Sequence, residues 1–99
     1  MVKKYDIVLT TEAALDLEEK KRYIYSQTFN PTIGEAWQTK MVLTLATLTY
    51  LPCRKKIFTN TIYFFVAHNH WVFYEVIDDK NTVRILRIIS CSRDLFAVL

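Results

Sequence analysis

The chain has 99 residues, of which 52% are hydrophobic and one is glycine, and it carries a formal net charge of +3. This length favours a single domain over residues 1–99 with one hydrophobic core. The mild positive charge permits a nucleic acid or an acidic protein as partner, but it lacks the concentrated charge of a dedicated DNA-binding domain. The high apolar content predicts that some apolar surface is covered by a partner.

No segment has the apolar length of a membrane-spanning helix, and Met1–Asp6 lacks the apolar centre of a signal peptide. We therefore expect a cytoplasmic protein without membrane contact. Cys53 and Cys91 are predicted to be buried free thiols, because they do not have the spacing of metal ligands. Neither a metal nor a cofactor is expected, since His68 and His70 have no further ligands at recognisable spacing.

The first predicted elements are a strand and a helix. Tyr5–Thr10 alternates as a strand, and Thr10 or Thr11 can cap the helix that follows, which is predicted from about Glu12 to Gln27. Acidic residues lie toward its amino end and basic residues toward its carboxyl end, as the helix dipole favours. We interpret these charges as a solvated helix face. They are Glu12, Asp16, Glu18, Glu19, Lys20, Lys21 and Arg22.

A second helix follows a turn at Phe29–Pro31. It is predicted to begin near Pro31 or Thr32, where Thr32–Glu35 has the spacing of a capping box, and to continue to a stop at Pro52. Residues at helical spacing define its buried face. They are Trp37, Met41, Leu45 and Leu48. Trp37 and Met41 could line a ligand pocket, but we favour a role in the core.

The densest cationic cluster follows this helix and consists of Arg54, Lys55 and Lys56. A basic loop beside a sheet can hold phosphates, which makes these three residues candidates for target or phosphate binding. A solvated loop explains the cluster equally well.

The last third contains three runs of aromatic and β-branched residues, which predict consecutive antiparallel strands. We interpret the break His68–His70 as a tight turn between two of them. The predicted fold class is α+β, with an N-terminal strand, a two-helix antiparallel hairpin and a three-stranded antiparallel meander. We expect an antiparallel sheet with both helices on one face. The predicted core residues are Trp37, Leu45, Leu48, Val72, Tyr74, Ile85 and Ile88.

The order of these segments, together with several short residue patterns, resembles the RelE/ParE superfamily of bacterial toxins. The patterns are Ala13, Asp16–Leu17 and Tyr23–Ile24 in the first helix, Leu48 to Pro52 at the end of the second, Val72–Val76, and Ile88 to Asp94. The resemblance spans nearly the whole chain. It implies a toxin of a type II toxin–antitoxin system, neutralised by an antitoxin that wraps over its surface. RelE-like members cut messenger RNA in the ribosomal A site, whereas ParE-like members inhibit DNA gyrase and are not nucleases.

Metal-free RNA cleavage needs a base, cations beside the phosphate and an acid for the leaving oxygen. Trp71 stands where ribonucleolytic relatives often carry arginine, and Ser90–Ser92 replaces their late basic residues. Phe96 is nearest to the terminal tyrosine of some nucleases, but phenylalanine cannot transfer a proton. These departures favour gyrase inhibition or another non-nucleolytic target, and therefore a protein that is not an enzyme.

The candidate site residues differ between the alternatives. If the chain is a ribosome-dependent nuclease, His70, Arg87 and Arg93 are the candidate catalytic residues. If it inhibits gyrase, Arg87 and Arg93 are candidates for contact with the target. Replacing Arg93 with alanine is expected to weaken toxicity more than replacing His70. We expect a hetero-oligomer with a cognate antitoxin, and DNA gyrase or the ribosome as target; a non-toxic protein-interaction module is the third alternative.

Overall fold

The computed structural model describes residues 4–49, the backbone of residues 56–57, and residues 61–91. In chain order the elements are β1 (Asp6–Leu9), α1 (Thr11–Thr28), α2 (Pro31–Ala46), β2 (Lys56–Ile57), β3 (Ile62–Ala67), β4 (His70–Ile77) and β5 (Thr82–Ser90). Single 3-10 turns follow α2 and β4, at Thr47–Thr49 and Asp78–Lys80. The predicted α+β class and the predicted order of the elements are confirmed.

The strands form one sheet in the order β1-β5-β4-β3-β2. Strands β3, β4 and β5 form the predicted three-stranded antiparallel meander. The two-residue strand β2 was not predicted; it pairs antiparallel with β3 and places Lys56 in the sheet instead of the predicted loop. In contrast, β1 pairs in parallel with β5, from Asp6 opposite Thr82 to Leu9 opposite Ile85. The expectation of a wholly antiparallel sheet is therefore wrong. Most of the chain separates β1 from β5, so no tight turn imposes an antiparallel direction on this pair.

Both helices are capped by polar side chains at their amino ends. Thr10 precedes α1, and its Oγ1 accepts a hydrogen bond from the Ala13 N–H at 3.2 Å, as predicted. Asn30 precedes α2, and its Oδ1 accepts from the Thr32 N–H at 3.0 Å. The predicted capping box beginning at Thr32 is therefore wrong. Pro31 already occupies the first helical position, where proline is favoured because its missing N–H would have no partner.

Helix α2 ends at Ala46, earlier than predicted, and the chain continues as a 3-10 turn that contains Leu48. Threonine side chains compete for the backbone at this end. Thr47 Oγ1 donates to the Thr44 carbonyl at 2.6 Å, a local bond of the kind that weakens helix continuation. The predicted stop, Pro52, lies outside the described residues.

The hydrophobic core lies between the helical hairpin and one face of the sheet. Apart from Trp37, the predicted core residues are buried; Trp37 is partly buried and packs against the others. The residues of this core are Tyr5, Ala13, Leu17, Met41, Leu45, Leu48, Val72, Tyr74, Val83, Ile85 and Ile88. Removal of their apolar surface from water is the main force that holds the hairpin on the sheet. Within the described part of the chain, no helix is long and apolar enough to cross a membrane.

Candidate functional site

The described residues include two of the predicted site residues with their side chains, His70 on β4 and Arg87 on β5. Lys56 lies in β2, where its backbone pairs with Phe64. The remaining candidates lie outside the described residues. They are Arg54, Lys55 and Arg93.

A β-bulge interrupts β5 one residue before Arg87. Phe73 is paired with Arg87, but the next residue of β4, Tyr74, is paired with Ile85. Leu86 is therefore an extra residue without a partner in the register. Because of this insertion, both Ile85 and Ile88 belong to the core although they are three residues apart. The bulge changes the face that each later residue of β5 presents.

The bulge lies where β1 ends. The backbone N–H of Thr10 donates to the Ile85 carbonyl at 3.0 Å. Its hydroxyl lies 2.8 Å from the same carbonyl oxygen and 3.1 Å from that of Leu86, so one donor is shared between the two. Thr10 thus caps α1 and also closes the last contact between β1 and β5. Beyond this point α1, rather than β1, lies along β5.

Arg87 forms a bidentate ion pair with Asp16 of α1. Arg87 Nε donates to Asp16 Oδ2 at 2.8 Å, and Nη2 donates to Oδ1 at 3.1 Å. Asp16 Oδ2 also accepts the backbone N–H of Ile88 at 2.8 Å. The Asp16 side chain is only 9% exposed. One carboxylate therefore binds a side chain and a backbone group of β5, and it holds α1 against this part of the strand.

Electrostatics keep this guanidinium charged. The hydrogen bond with Asp16 raises the pKa of Arg87, an effect that burial partly opposes and that the charges of Asp16, Glu12 and Glu19 reinforce. The interpretation of Asp16 as part of a solvated charged face is wrong, whereas Glu12 and Glu19 are exposed as expected. The only signal for Asp16 in the sequence was the Asp-Leu pattern of the resemblance, which did not indicate a partner.

His70 is the first residue of β4 and is only 3% exposed. Its Nδ1 donates to the backbone carbonyl of His68 at 2.8 Å, and its ring lies 5.1 Å from the Trp37 ring between centroids. His68 and Asn69 both have positive φ, at 51° and 63°, as the central residues of a two-residue hairpin turn require. The predicted tight turn is confirmed. His70 anchors this turn on α2, which accounts for its burial.

A cavity of about 360 Å³ lies between α1 and the end of β5, beside the Arg87–Asp16 pair. Its lining residues are Asp16, Glu19, Lys20, Tyr23, Asn69, His70, Ile88 and Ser90. Within residues 4–49 and 61–91, no group of His, Cys, Asp and Glu converges in the manner of a metal site. Cys91 is a free thiol and is half-buried rather than buried, while Cys53 lies outside the described residues.

The sheet face opposite the helices carries an aromatic cluster of Phe64, Trp71 and Phe73. Side chains alternate along β4, so Trp71 and Phe73 point away from the face on which Val72 packs against the helices. The rings of Trp71 and Phe73 are stacked at 19° with centroids 6.5 Å apart. The Phe64 ring lies 5.5 Å from that of Trp71. Trp71, the residue that the sequence comparison with ribonucleolytic relatives singled out, is thus part of an apolar cluster.

A protein-family model described as ParE toxin of type II toxin-antitoxin system, parDE, matches residues 7–95. The chain belongs to this family. It is a toxin of a type II toxin–antitoxin system within the ParE/RelE group. No curated protein matches its sequence.

Solved structures share the ParE/RelE fold. The chromosomal ParDE toxin–antitoxin system from P. aeruginosa is similar with a TM-score of 0.75 and 15% identity, over 89% of this chain and 97% of that one. The toxin–antitoxin complex RelBE2 from Mycobacterium tuberculosis gives 0.62 and 23%, over 91% and 93%. The isolated E. coli RelE toxin gives 0.52 and 17%, over 95% and 92%. At these identities the similarity concerns the fold alone.

Proposed function

We propose that this chain arrests bacterial growth as a ParE-type toxin that inhibits DNA gyrase, and that it does not cut RNA. The observation that carries the proposal is the bidentate pairing of Arg87 with Asp16. Arg87 is the only arginine among the predicted site residues whose side chain the structure describes. Its charge and its donor geometry are directed at a carboxylate of the same chain, which leaves it poorly suited to a substrate phosphate.

Electrostatic balance supports this argument. Cleavage of RNA without a metal requires positive groups that stabilise charge as it develops on the phosphate. A guanidinium held by a carboxylate on two of its nitrogens offers little net positive charge to a second anion. Glu12 and Glu19 are close enough to influence the same guanidinium, so the potential around Arg87 is unfavourable for a polyanion.

The position of His70 is equally unfavourable for a general base. A base must reach the 2′-hydroxyl of the substrate within hydrogen-bond distance. The His70 ring is almost wholly buried, with Nδ1 on the His68 carbonyl and its face near Trp37. The hairpin turn uses this histidine as a structural anchor, and although the ring lines the cavity between α1 and the end of β5, its 3% exposure leaves little of it within reach of an RNA.

Phe64 and Trp71 of the aromatic cluster are partly exposed and support a protein target, whereas Phe73 is buried beneath that surface. Aromatic side chains supply much of the binding energy in protein–protein interfaces. The rings themselves carry no charge that could hold a phosphate. Glu75 of β4 is paired with Arg84 of β5, so these two charges offset each other.

A cognate antitoxin is the second proposed partner. The relatives from P. aeruginosa and M. tuberculosis are described as toxin–antitoxin systems or complexes. Several large apolar side chains of this chain are exposed, including Leu15, Val42 and Val66. An antitoxin that folds over Leu15, Val42 and Val66 would remove their surface from water, which would stabilise a hetero-oligomer.

The first experiment separates the two activities directly. The chain is induced alone in bacteria, growth is recorded, and new messenger RNA 5′ ends are mapped within minutes; purified chain is titrated into a gyrase supercoiling assay. We expect growth arrest and loss of supercoiling without codon-phased cuts, and addition of antitoxin should reverse the loss of supercoiling. Codon-phased cuts in translated regions would overturn the proposal. Arrest with neither cuts nor gyrase inhibition would replace gyrase with another protein target.

A further inference from the structure

The end of the helical hairpin is an exposed surface that does not pack against the rest of the fold. We define the hairpin tip as residues 25–33, which comprise the last turn of α1, the connection and the start of α2; every one of them is exposed. Three of its side chains are large and apolar: Tyr25, Phe29 and Ile33. Hydrophobic residues this concentrated at an exposed turn indicate a contact with another molecule.

Phe29 is the clearest sign of that contact. It ends α1 in the left-handed conformation, with φ 54° and ψ 25°, and its side chain is 79% exposed. Glycine is the usual residue at this position, and a bulky side chain there is strained. An aromatic side chain does not favour this backbone conformation, and the Phe29 ring does not belong to the hydrophobic core. Most of the apolar surface of the ring is therefore available to a partner.

The surroundings of Phe29 give the tip a defined shape. The Tyr25 ring packs edge-on against it, with centroids 6.4 Å apart at 71°. Tyr25 also lines a cavity of about 230 Å³ whose surface is mostly carbon, together with Glu18, Lys21, Arg22 and Pro31. The tip thus combines a projecting aromatic residue, an apolar depression and a rim on which cations outnumber carboxylates.

We propose that the hairpin tip is the surface by which this toxin docks on its cellular target, a folded protein with an apolar cleft bordered by carboxylates. The inference rests on the proposed function, a protein target, and adds the part of the toxin that recognises it. The positive charges at the rim predict acidic groups on the partner, because Lys21 and Arg22 flank the apolar depression and attract carboxylates.

The shape of the tip favours a folded target over the antitoxin. A projecting knob of a few residues gains most when it enters a preformed cleft, where its aromatic side chain is fully desolvated. An antitoxin that wraps over the toxin as an extended chain has no such cleft. Exposed apolar residues outside the tip, such as Leu15 and Val42, suit an extended chain better.

The test compares Phe29→Gly with Leu43→Ala, each induced alone in bacteria without antitoxin. Phe29→Gly removes the aromatic ring and keeps the left-handed turn, so the fold is retained, which urea unfolding checks; Phe29→Asn is a second variant that tolerates the same backbone. We expect at least a tenfold loss of growth inhibition, and at least a tenfold higher concentration for inhibition of purified DNA gyrase, for both Phe29 variants. Leu43, which is 64% exposed on α2, is the matched control and should remain as toxic as wild type.

A second comparison tests the charge of the rim. Arg22→Glu should weaken growth inhibition at least tenfold, whereas Lys40→Glu, at an exposed position on α2, should not. Undiminished toxicity of folded Phe29→Gly would overturn the docking surface, and so would an equal loss in the Leu43 or Lys40 variant. Wild type that arrests growth by cutting RNA, or fails to arrest it, would overturn the proposed function and this inference together. Arrest by wild type and by Phe29→Gly alike would overturn the inference alone.

Discussion

Asp16 binds Arg87 through both carboxylate oxygens and binds the Ile88 N–H through one of them. Where β1 ends beside the bulge, the contacts of Asp16 take over from β1 along the edge of β5. Replacing Asp16 with alanine leaves a half-buried guanidinium and a backbone N–H without their acceptor. We expect the free energy of unfolding to fall by about 1–3 kcal/mol, measured by urea titration.

Glu19→Ala is the control for this prediction, since Glu19 is an exposed acid on the same helix. Its effect should stay within about 0.5 kcal/mol. Equal effects of the two substitutions would mean that the bidentate pair contributes nothing beyond general helix charge.

The Arg87 pair should be insensitive to alkaline pH over the ordinary range. Asp16 raises the pKa of Arg87 in the folded state. A raised pKa contributes stability that is complete below the unfolded-state pKa and is lost only as the pH rises through the folded value; for arginine both pKa values lie far above the ordinary pH range. The difference in unfolding free energy between wild type and Arg87→Ala should therefore be constant from pH 7 to 10. A difference that shrinks across this range would show that the pair depends on another titrating group.

Gly34 permits the close approach of α1 and α2. A Cβ at this position would lie 3.1 Å from the backbone oxygen of Lys21 and 3.2 Å from its Cγ. In an open helix, glycine to alanine stabilises by about 1 kcal/mol. Here the backbone oxygen cannot move without shifting α1, so Gly34→Ala should destabilise by about 1–3 kcal/mol. Glu35→Ala, at the exposed neighbouring position, should be nearly neutral; a gain in thermal stability for Gly34→Ala would show that the hairpin adjusts freely.

How far the sequence predicts this protein depends on whether the signal is local. The strands around Val72 and Ile85 follow from runs of β-branched and aromatic residues, and the turn at His68–His70 follows from its polar residues between such runs. The parallel partner of β1 could not be predicted, because a strand has no local mark of the neighbour it will choose. The partner of Asp16 lies 71 residues away in the sequence and follows a bulge in β5. No residue pattern in β5 predicts the position of that bulge.

The same substitution should have opposite effects one helical turn apart in α1. Phe29 has positive φ, where glycine relieves strain of about 1 kcal/mol. Tyr25 is in the last helical turn, where glycine is unfavourable by about 0.5–1 kcal/mol relative to alanine. We expect Phe29→Gly to raise the urea midpoint and Tyr25→Gly to lower it. A fall for both would mean that the edge-on contact of the two rings outweighs the backbone term.

Replacement of His70 and of Arg93 should separate folding from activity. His70→Ala removes the donor to the His68 carbonyl and the ring beside Trp37, so it should destabilise by about 2–4 kcal/mol and lower toxicity only as far as the folded fraction falls. Arg93→Ala is predicted to lower toxicity more, per folded molecule, because Arg93 is a proposed contact with the target. Growth inhibition normalised to the folded protein recovered from cells measures both. Wild-type toxicity in the Arg93 variant would show that Arg93 does not contact the target. A greater loss per folded molecule in the His70 variant would show that His70 takes part in the activity.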